Sequence, residues 1–210
     1  GLVKGASNGE GLGNKFLSHI REVDAIAHVV RCFQDENITH ISNEIDPIND
    51  INIITTELKL ADLETLKNKN EDLIKKSKSD KDANLKIDFI KKIEEKINDD
   101  DNVSVLNIDN DFKDFFLSLN LLISKPMFYV CNVDEKSILS GNTFTKQVYE
   151  LAKKESNDIV IVSADIESQI SLLEEEQDKE EIILSLGLKE KTLNKVIYTG
   201  YKILNLITFF

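Results

Sequence analysis

The sequence has no tryptophan, two prolines, two cysteines and no Walker P-loop among its 210 residues. Two cysteines in apolar runs, Cys32 and Cys131, supply neither a disulfide framework nor a four-ligand zinc site. No apolar run approaches the ~20 residues that cross a membrane. None of the eight glycines stands in the P-loop pattern that cradles nucleotide phosphates. These absences argue against disulfide-rich, zinc-binding and membrane-spanning classes, and they leave the chain without a phosphate cradle of its own.

The sequence is acidic, with a formal net charge of −12 at pH 7. This charge argues against a protein that coats nucleic acid with its whole surface, although local basic patches remain compatible with it. Much of the acid falls between residues 174 and 181, where we expect a solvated helix face.

The first fourteen residues contain five glycines. Glycine restrains the backbone least, so this stretch predicts a loop that approaches a ligand closely. A helix is expected over 15–21 and a buried strand over 25–33, because the first is polar with spaced apolar residues and the second is an apolar run.

The middle of the chain predicts two amphipathic helices. Apolar residues recur every three or four positions in each, and a polar stretch at 77–80 separates the two. Two such helices cover each other's apolar faces as an antiparallel hairpin or coiled coil. A plain soluble hairpin is the simpler interpretation; contact of the tip lysines with RNA is the alternative. The apolar positions are Ile51, Ile54, Leu58, Ala61, Leu85, Phe89, Ile93 and Ile97, and the tip lysines are Lys75, Lys76, Lys78 and Lys81.

The rest of the chain alternates strands and helices. Short apolar runs predict buried strands over 127–131 and 159–162, and periodic segments predict helices over 112–123, 143–154 and 166–186, with a last one from residue 193. Such alternation is typical of an α/β protein with a doubly wound parallel sheet. The hairpin interrupts the alternation once, between the first and second strands.

Three stretches closely resemble the switch II region of the YchF or Obg-like ATPase family: 1–7, 9–14 and the His-Val-Val-Arg-Cys-Phe run at 28–33. The resemblance implies a partial P-loop NTPase of the G-domain type. It divides the chain into nucleotide-binding residues 1–44, an inserted hairpin over 45–122 and nucleotide-binding residues 123–210. On this resemblance we expect a fragment that lacks the P-loop and the C-terminal TGS domain.

The resemblance also implies a base-binding motif. Asn132, Val133 and Glu135 stand where GTP-binding proteins have Asn-Lys-x-Asp, and the family's Asn-x-x-Glu goes with ATP in preference to GTP. Ser163 and Ala164 match a Ser-Ala turn that lies along the base. From these four residues alone, a polar cap at the end of a strand is the favoured explanation of Asn-x-x-Glu; its place beside the other motifs favours base binding instead.

The resemblance further implies catalytic positions. Gly1 is the last glycine of an Asp-x-x-Gly motif, and Leu2 replaces the glutamine that orients water in Ras-like enzymes. His40 is the stand-in for that glutamine, since imidazole can both accept and donate near neutral pH. A solvent-exposed loop histidine is the alternative.

These features predict an intact parent protein that binds ATP with Mg²⁺, hydrolyses the ATP and acts in the cytoplasm with the ribosome or RNA, away from membranes. The fragment alone is expected to be inactive, because its P-loop is missing. A non-catalytic module that docks through the hairpin is the second hypothesis, and an unrelated α/β protein with a helical insertion is the third.

Overall fold

The computed structural model describes residues 12–35, 45–77, 81–99 and 108–207, apart from the side chains of residues 12, 76, 77 and 81. This part of the chain forms α-helices, two short 3-10 helices and one parallel sheet. The strands are β1 (Ile26–Arg31), β2 (Met127–Asn132) and β3 (Asp158–Val162). The helices are α1 (Leu12–Glu22), α2 (Pro47–Ser77), α3 (Lys81–Asn98), α4 (Asn110–Leu119), α5 (Thr143–Glu155), α6 (Ala164–Ser171), α7 (Glu176–Ser185) and α8 (Thr192–Ile203).

The sheet has the order β1-β2-β3, and both pairs are parallel. One face packs under α5 in a cluster that includes Tyr129 and Val148. The opposite face packs under α8 in a cluster that includes Val130 and Val196. The α/β class, the parallel strands and the helices on both faces confirm the predicted fold class.

The described residues group into two compact units. The sheet unit comprises 24–35, 45–51 and 126–207. The helical unit comprises 12–23, 52–77, 81–99 and 108–125, so α1 groups with the helices of the insertion. The division at 1–44, 45–122 and 123–210 stays a prediction about domains.

In the helical unit, α2 and α3 pack through a shared apolar cluster that contains Leu66 and Leu73 of α2 with Ile90 and Ile93 of α3. Of the predicted apolar positions, Phe89, Ile93 and Ile97 belong to this cluster. The prediction is wrong for Leu85, which is 58% exposed, and for Ile51, which packs in the core of the sheet unit. The turn between the helices was predicted at 77–80; α2 includes Ser77, and residues 78–80 lie outside the described part of the chain.

A buried carboxylate ties α1 to α2 within this unit. Asp62 of α2 is fully buried, and its side chain accepts hydrogen bonds from the backbone N–H groups of Leu122 and Ile123, both at 2.9 Å. Arg21, at the end of α1, lies 3.4 Å from the same carboxylate and donates to Thr65 at 2.9 Å. Burial raises the pKa of Asp62, and the two N–H donors and Arg21 oppose that rise.

The single long helix predicted over 166–186 is wrong, because the structure has two helices there. The chain leaves α6 after Ser171, and Glu175 is extended before α7 begins at Glu176. Acidic side chains favour the first turn of a helix, where backbone N–H groups point outward. Glu176 and Asp178 occupy that turn, so the acidic run begins a new helix.

Candidate functional site

The polar residues predicted to bind a ligand lie at the carboxyl ends of β2 and β3. The parallel register pairs Asn132 with Val162, which brings the two following turns side by side. Asn132 Oδ1 accepts a hydrogen bond from the backbone N–H of Ala164 at 2.9 Å. Its Nδ2 group donates to no described residue, so this amide is the part of Asn132 that can still donate to a ligand.

Ser163 directly follows β3 and is fully buried. Its Oγ has no hydrogen-bond partner among the described residues, and the side chain does not cap α6. A buried hydroxyl without a partner is uncommon in a folded protein and calls for a structural or functional reason. Asn132, Ser163 and Ala164 lie together at the carboxyl ends of β2 and β3, and their role in binding a base stays a prediction.

Val133 is placed differently from its neighbours. Its side chain is 3% exposed and belongs to the apolar core, and its backbone N–H donates to Val162 at 2.9 Å. Val133 thus stabilises the end of β2 through its core packing and its backbone hydrogen bond to Val162. Its side chain does not reach the solvent-facing edge of the sheet.

Glu135 is exposed and begins a 3-10 helix, Glu135–Ser137. The preceding Asp134 fixes this turn, because its Oδ1 accepts from the backbone N–H of Ser137 at 3.0 Å. The Glu135 carboxylate accepts no hydrogen bond from the described residues, so it stands beside the Asn132 turn with its oxygens open to solvent.

Asn142 is a supporting residue that the sequence reasoning missed. It caps α5 in a reciprocal arrangement with Thr145, and its Nδ2 donates to the carbonyl of Cys32 at 2.7 Å, just after β1. One side chain therefore links the end of β1 to the loop after β2. The Asn-Thr-Phe-Thr sequence signals the helix cap, but nothing local signals the bond to Cys32.

The two cysteines pack together in the core beneath this edge. Cys32 and Cys131 are both free and fully buried. A hydrogen bond with Cys32 and burial raise the pKa of the Cys131 thiol. A thiol with a raised pKa is a poor nucleophile and a poor metal ligand, so the pair contributes to the structure as buried core side chains.

The predicted catalytic residues Gly1, Leu2 and His40 lie outside the described residues. The other two histidines lie within the described residues. His19 is exposed on α1, and His28 is half-buried with its ring 5.7 Å from that of Tyr129. Burial lowers the pKa of His28, and the nearby Asp50 opposes the shift.

No group of three or more potential metal ligands occurs in the described ranges, and no ligand set for Mg²⁺ is assigned there. Of the tip lysines, Lys75 is exposed and pairs with Asp72 at 3.2 Å. The side chains of Lys76, Lys78 and Lys81 lie outside the described residues. None of the described helices is both long enough and apolar enough to cross a membrane.

The whole chain aligns with curated relatives from distant bacteria. It is 43% identical over 213 residues to the ribosome-binding ATPase YchF of Bacillus subtilis and 43% identical over 211 residues to that of Escherichia coli O157:H7. The chain belongs to the YchF family. It spans 58% of the length of each of these relatives, and no model of a known protein family matches it.

A solved structure agrees with this assignment. The structure of the Schizosaccharomyces pombe YchF GTPase matches 94% of this chain with a TM-score of 0.81 and 29% identity, and the match covers 54% of that chain. The relatives' names differ in the nucleotide that they give, ATPase in one case and GTPase in the other. Membership of the YchF family therefore confirms the predicted resemblance and leaves base preference to be argued from the site.

Proposed function

We propose that the protein containing these residues binds and hydrolyses ATP and acts as a switch on the ribosome. The 43% identity to ribosome-binding ATPases across the whole chain carries this proposal. The site supports it, because open parallel sheets bind ligands at the carboxyl ends of their strands, where Asn132, Ser163 and Ala164 meet.

The bond between Asn132 and Ala164 supports a preference for ATP over GTP. Guanine presents an acceptor, O6, where adenine presents an amino group, whereas N7 is an acceptor in both bases. The Ala164 N–H is already donated to Asn132, so it is not free to donate to O6. The remaining Nδ2 of Asn132 can donate to N7, which holds either purine without distinguishing them.

Glu135 adds to this preference. A carboxylate that accepts from the N1 and amino groups of guanine has to hold both hydrogen bonds at once, and the position is an aspartate in Asn-Lys-x-Asp proteins. Glutamate is one methylene longer, so its oxygens overreach that position unless the turn moves. The turn is fixed by the bond from Ser137 to Asp134, which opposes such movement.

Hydrolysis in this proposal depends on the segment outside the described residues. Leu2 cannot orient a water molecule, and His40 takes that role by accepting a proton or donating a hydrogen bond near neutral pH. Gly1 contributes backbone next to the nucleotide. Mg²⁺, when bound, supplies charge neutralisation for the phosphates.

A ribosome partner would place the protein in the cytoplasm. The helical unit offers the surface for this contact, and the α1 helix that groups with it follows directly after the glycine-rich segment. Pure docking without catalysis is the competing hypothesis. The Lys75–Asp72 pair partly neutralises the described edge of the tip, which disfavours RNA binding through charge alone.

Steady-state ATP turnover by the full-length protein, with and without ribosomes, tests this function. We expect His40→Ala to lower kcat by about 100-fold, because general acid–base assistance is typically worth that much. His19→Ala, at the exposed histidine of α1, serves as the matched control and leaves kcat unchanged. A full-length protein that co-sediments with ribosomes and does not hydrolyse ATP would favour the docking hypothesis.

A further inference from the structure

The outer edge of β3 carries backbone groups that have no hydrogen-bond partner in the described part of the chain. Val133 N–H donates to the carbonyl of Val162, so the N–H and C=O of Val162 face β2. Backbone groups alternate in direction along a strand, which turns those of Ile159 and Ile161 away from β2. No hydrogen bond from the described residues reaches these four groups.

This edge lies at the floor of a groove. A cavity of about 480 Å³ runs over Ile159, Val160 and Ile161. One wall contains Leu139, from the loop before α5, and the other contains Tyr198 of α8. Both wall side chains are mostly exposed, at 63% and 72%, so they border the groove without filling it.

The edge lacks the usual protections against pairing. Exposed strand edges are commonly blunted by lysine, proline or a bulge. The three residues at the groove floor carry no charge and no proline, and the one charged residue of β3 is Asp158 at its start. Asp158 is bound to Lys202 of α8, at 2.9 Å and 3.0 Å, so its charge is compensated.

We propose that the β3 edge binds an extended peptide segment of a partner protein, which adds to the sheet as a further strand. Strand addition of this kind uses main-chain hydrogen bonds for affinity and alternate side chains for specificity. Here the alternate side chains contact Leu139 on one side and Tyr198 on the other, which favours apolar residues at every second position. The net charge of −12 favours basic flanks, and within the groove the charge of Glu190 is offset by that of Lys195.

The exposed side chains that border the groove favour a peptide over a second copy of the chain as the occupant. In a symmetric pair, each β3 edge is recessed behind its own Leu139 and Tyr198, so the protruding side chains of the two copies meet before the strands reach hydrogen-bonding distance. A single extended strand has no such walls. The recessed edge therefore suits a peptide better than a dimer contact.

Backbone N-methylation of a probe peptide tests the proposal on the full-length protein. The probe is acetyl-Lys-Thr-Val-Thr-Val-Thr-Lys-amide, with apolar residues at alternate positions and lysine at both ends. Methylation of the N–H groups that point toward β3 is expected to weaken binding by at least tenfold. Methylation of the alternate N–H groups, which point away, is expected to leave binding within about twofold.

Amide NMR locates the contact. The N–H signals of Ile159 and Ile161 are expected to shift and to exchange more slowly with solvent when the probe binds. The Val160 N–H, which already faces β2, serves as the internal control. Tyr198→Ala is expected to weaken binding, whereas Tyr149→Ala, at another exposed tyrosine, is not.

Three results would overturn the proposal: equal effects of the two methylation patterns, no perturbation at Ile159 and Ile161, or slow exchange of both N–H groups before the probe is added. The last result would mean that another part of the full-length protein already pairs with this edge. Formation of a dimer through Ile159 and Ile161 would identify a second copy as the occupant instead.

Discussion

Asn132 Oδ1 and the backbone N–H of Ala164 are joined by a hydrogen bond of 2.9 Å across the ends of β2 and β3. The bond uses the acceptor of one residue and the donor of the other, and it leaves the Nδ2 donor of Asn132 for a ligand. Because the bond occupies the Ala164 N–H, it supports the proposed preference for ATP over GTP in this member of the YchF family.

Asn132 has two roles: its Oδ1 accepts from Ala164, and its Nδ2 can donate to a nucleotide. Two substitutions at Asn132 separate these roles in the full-length protein. Asn132→Ala removes the Nδ2 donor and also frees the Ala164 N–H, so ATP affinity is expected to fall by about tenfold while the preference for ATP over GTP narrows. Asn132→Asp keeps an acceptor for Ala164 but loses the donor. Asn132→Asp is therefore expected to lower the affinities for ATP and for GTP to a similar extent. Calorimetry with each nucleotide measures the ratio of ATP affinity to GTP affinity. An unchanged ratio in Asn132→Ala would contradict the proposed role of the Ala164 bond.

The buried Asp62 is expected to dominate the stability of the helical unit. Asp62→Ala leaves the N–H groups of Leu122 and Ile123 and the guanidinium of Arg21 without their shared acceptor, at a cost of about 3 kcal/mol. Lys75→Ala breaks only an exposed pair and is expected to change stability by at most about 0.5 kcal/mol. Urea unfolding compares the two, and equal effects would mean that the buried network contributes little.

The raised pKa of Asp62 also gives a direction for pH dependence. Because the folded state holds the proton more tightly than the unfolded state, Asp62's contribution is fully present below its unfolded pKa of 3.8 and is lost as pH rises through the folded pKa. The stability of the native protein minus that of Asp62→Asn should therefore fall as pH rises above 3.8. Urea unfolding of both proteins at a series of acidic pH values measures this difference in stability. A difference that grows as pH rises would contradict the raised pKa of Asp62.

Two glycines are expected to respond to alanine in opposite directions. Gly187 ends α7 with φ +72°, and a Cβ there would lie 3.2 Å from Leu139, so Gly187→Ala should destabilise the protein by about 1 kcal/mol or more. Gly200 lies within α8, and a Cβ there meets open space. Gly200→Ala should stabilise the protein by about 0.5–1 kcal/mol. Thermal unfolding of both variants shows whether each substitution raises or lowers stability. Destabilisation by Gly200→Ala would contradict this account of α8.

The elements that the sequence predicted well are those whose signal is local. The run at Met127–Asn132 is apolar and bounded by polar residues, so β2 is found to within one residue. The predicted helix end at residue 186 lies within one residue of the end of α7 at Ser185, just before the left-handed Gly187. Asn132, Ser163 and Ala164 lie at the carboxyl ends of β2 and β3, which the apolar runs locate, and their role in binding a base stays a prediction.

The features that the sequence did not reveal depend on residues far apart in the chain. Arg21 and Asp62 are 41 positions apart, and neither lies in a motif that predicts their contact. The bond from Asn142 to Cys32 spans 110 positions and requires the order of β1 and β2 to be known. Val133 was assigned to the ligand with its neighbours, but its position at the end of β2 turns its side chain into the core.

Calorimetric titration of the full-length protein with ATP and with GTP, in the presence of magnesium, tests the central claim most directly. The bond between Asn132 and Ala164, together with the length of Glu135, predicts ATP binding at least tenfold tighter than GTP binding. Equal affinity, or tighter binding of GTP, would contradict the proposed base preference. Failure to bind either nucleotide would contradict the proposed ATPase function as a whole.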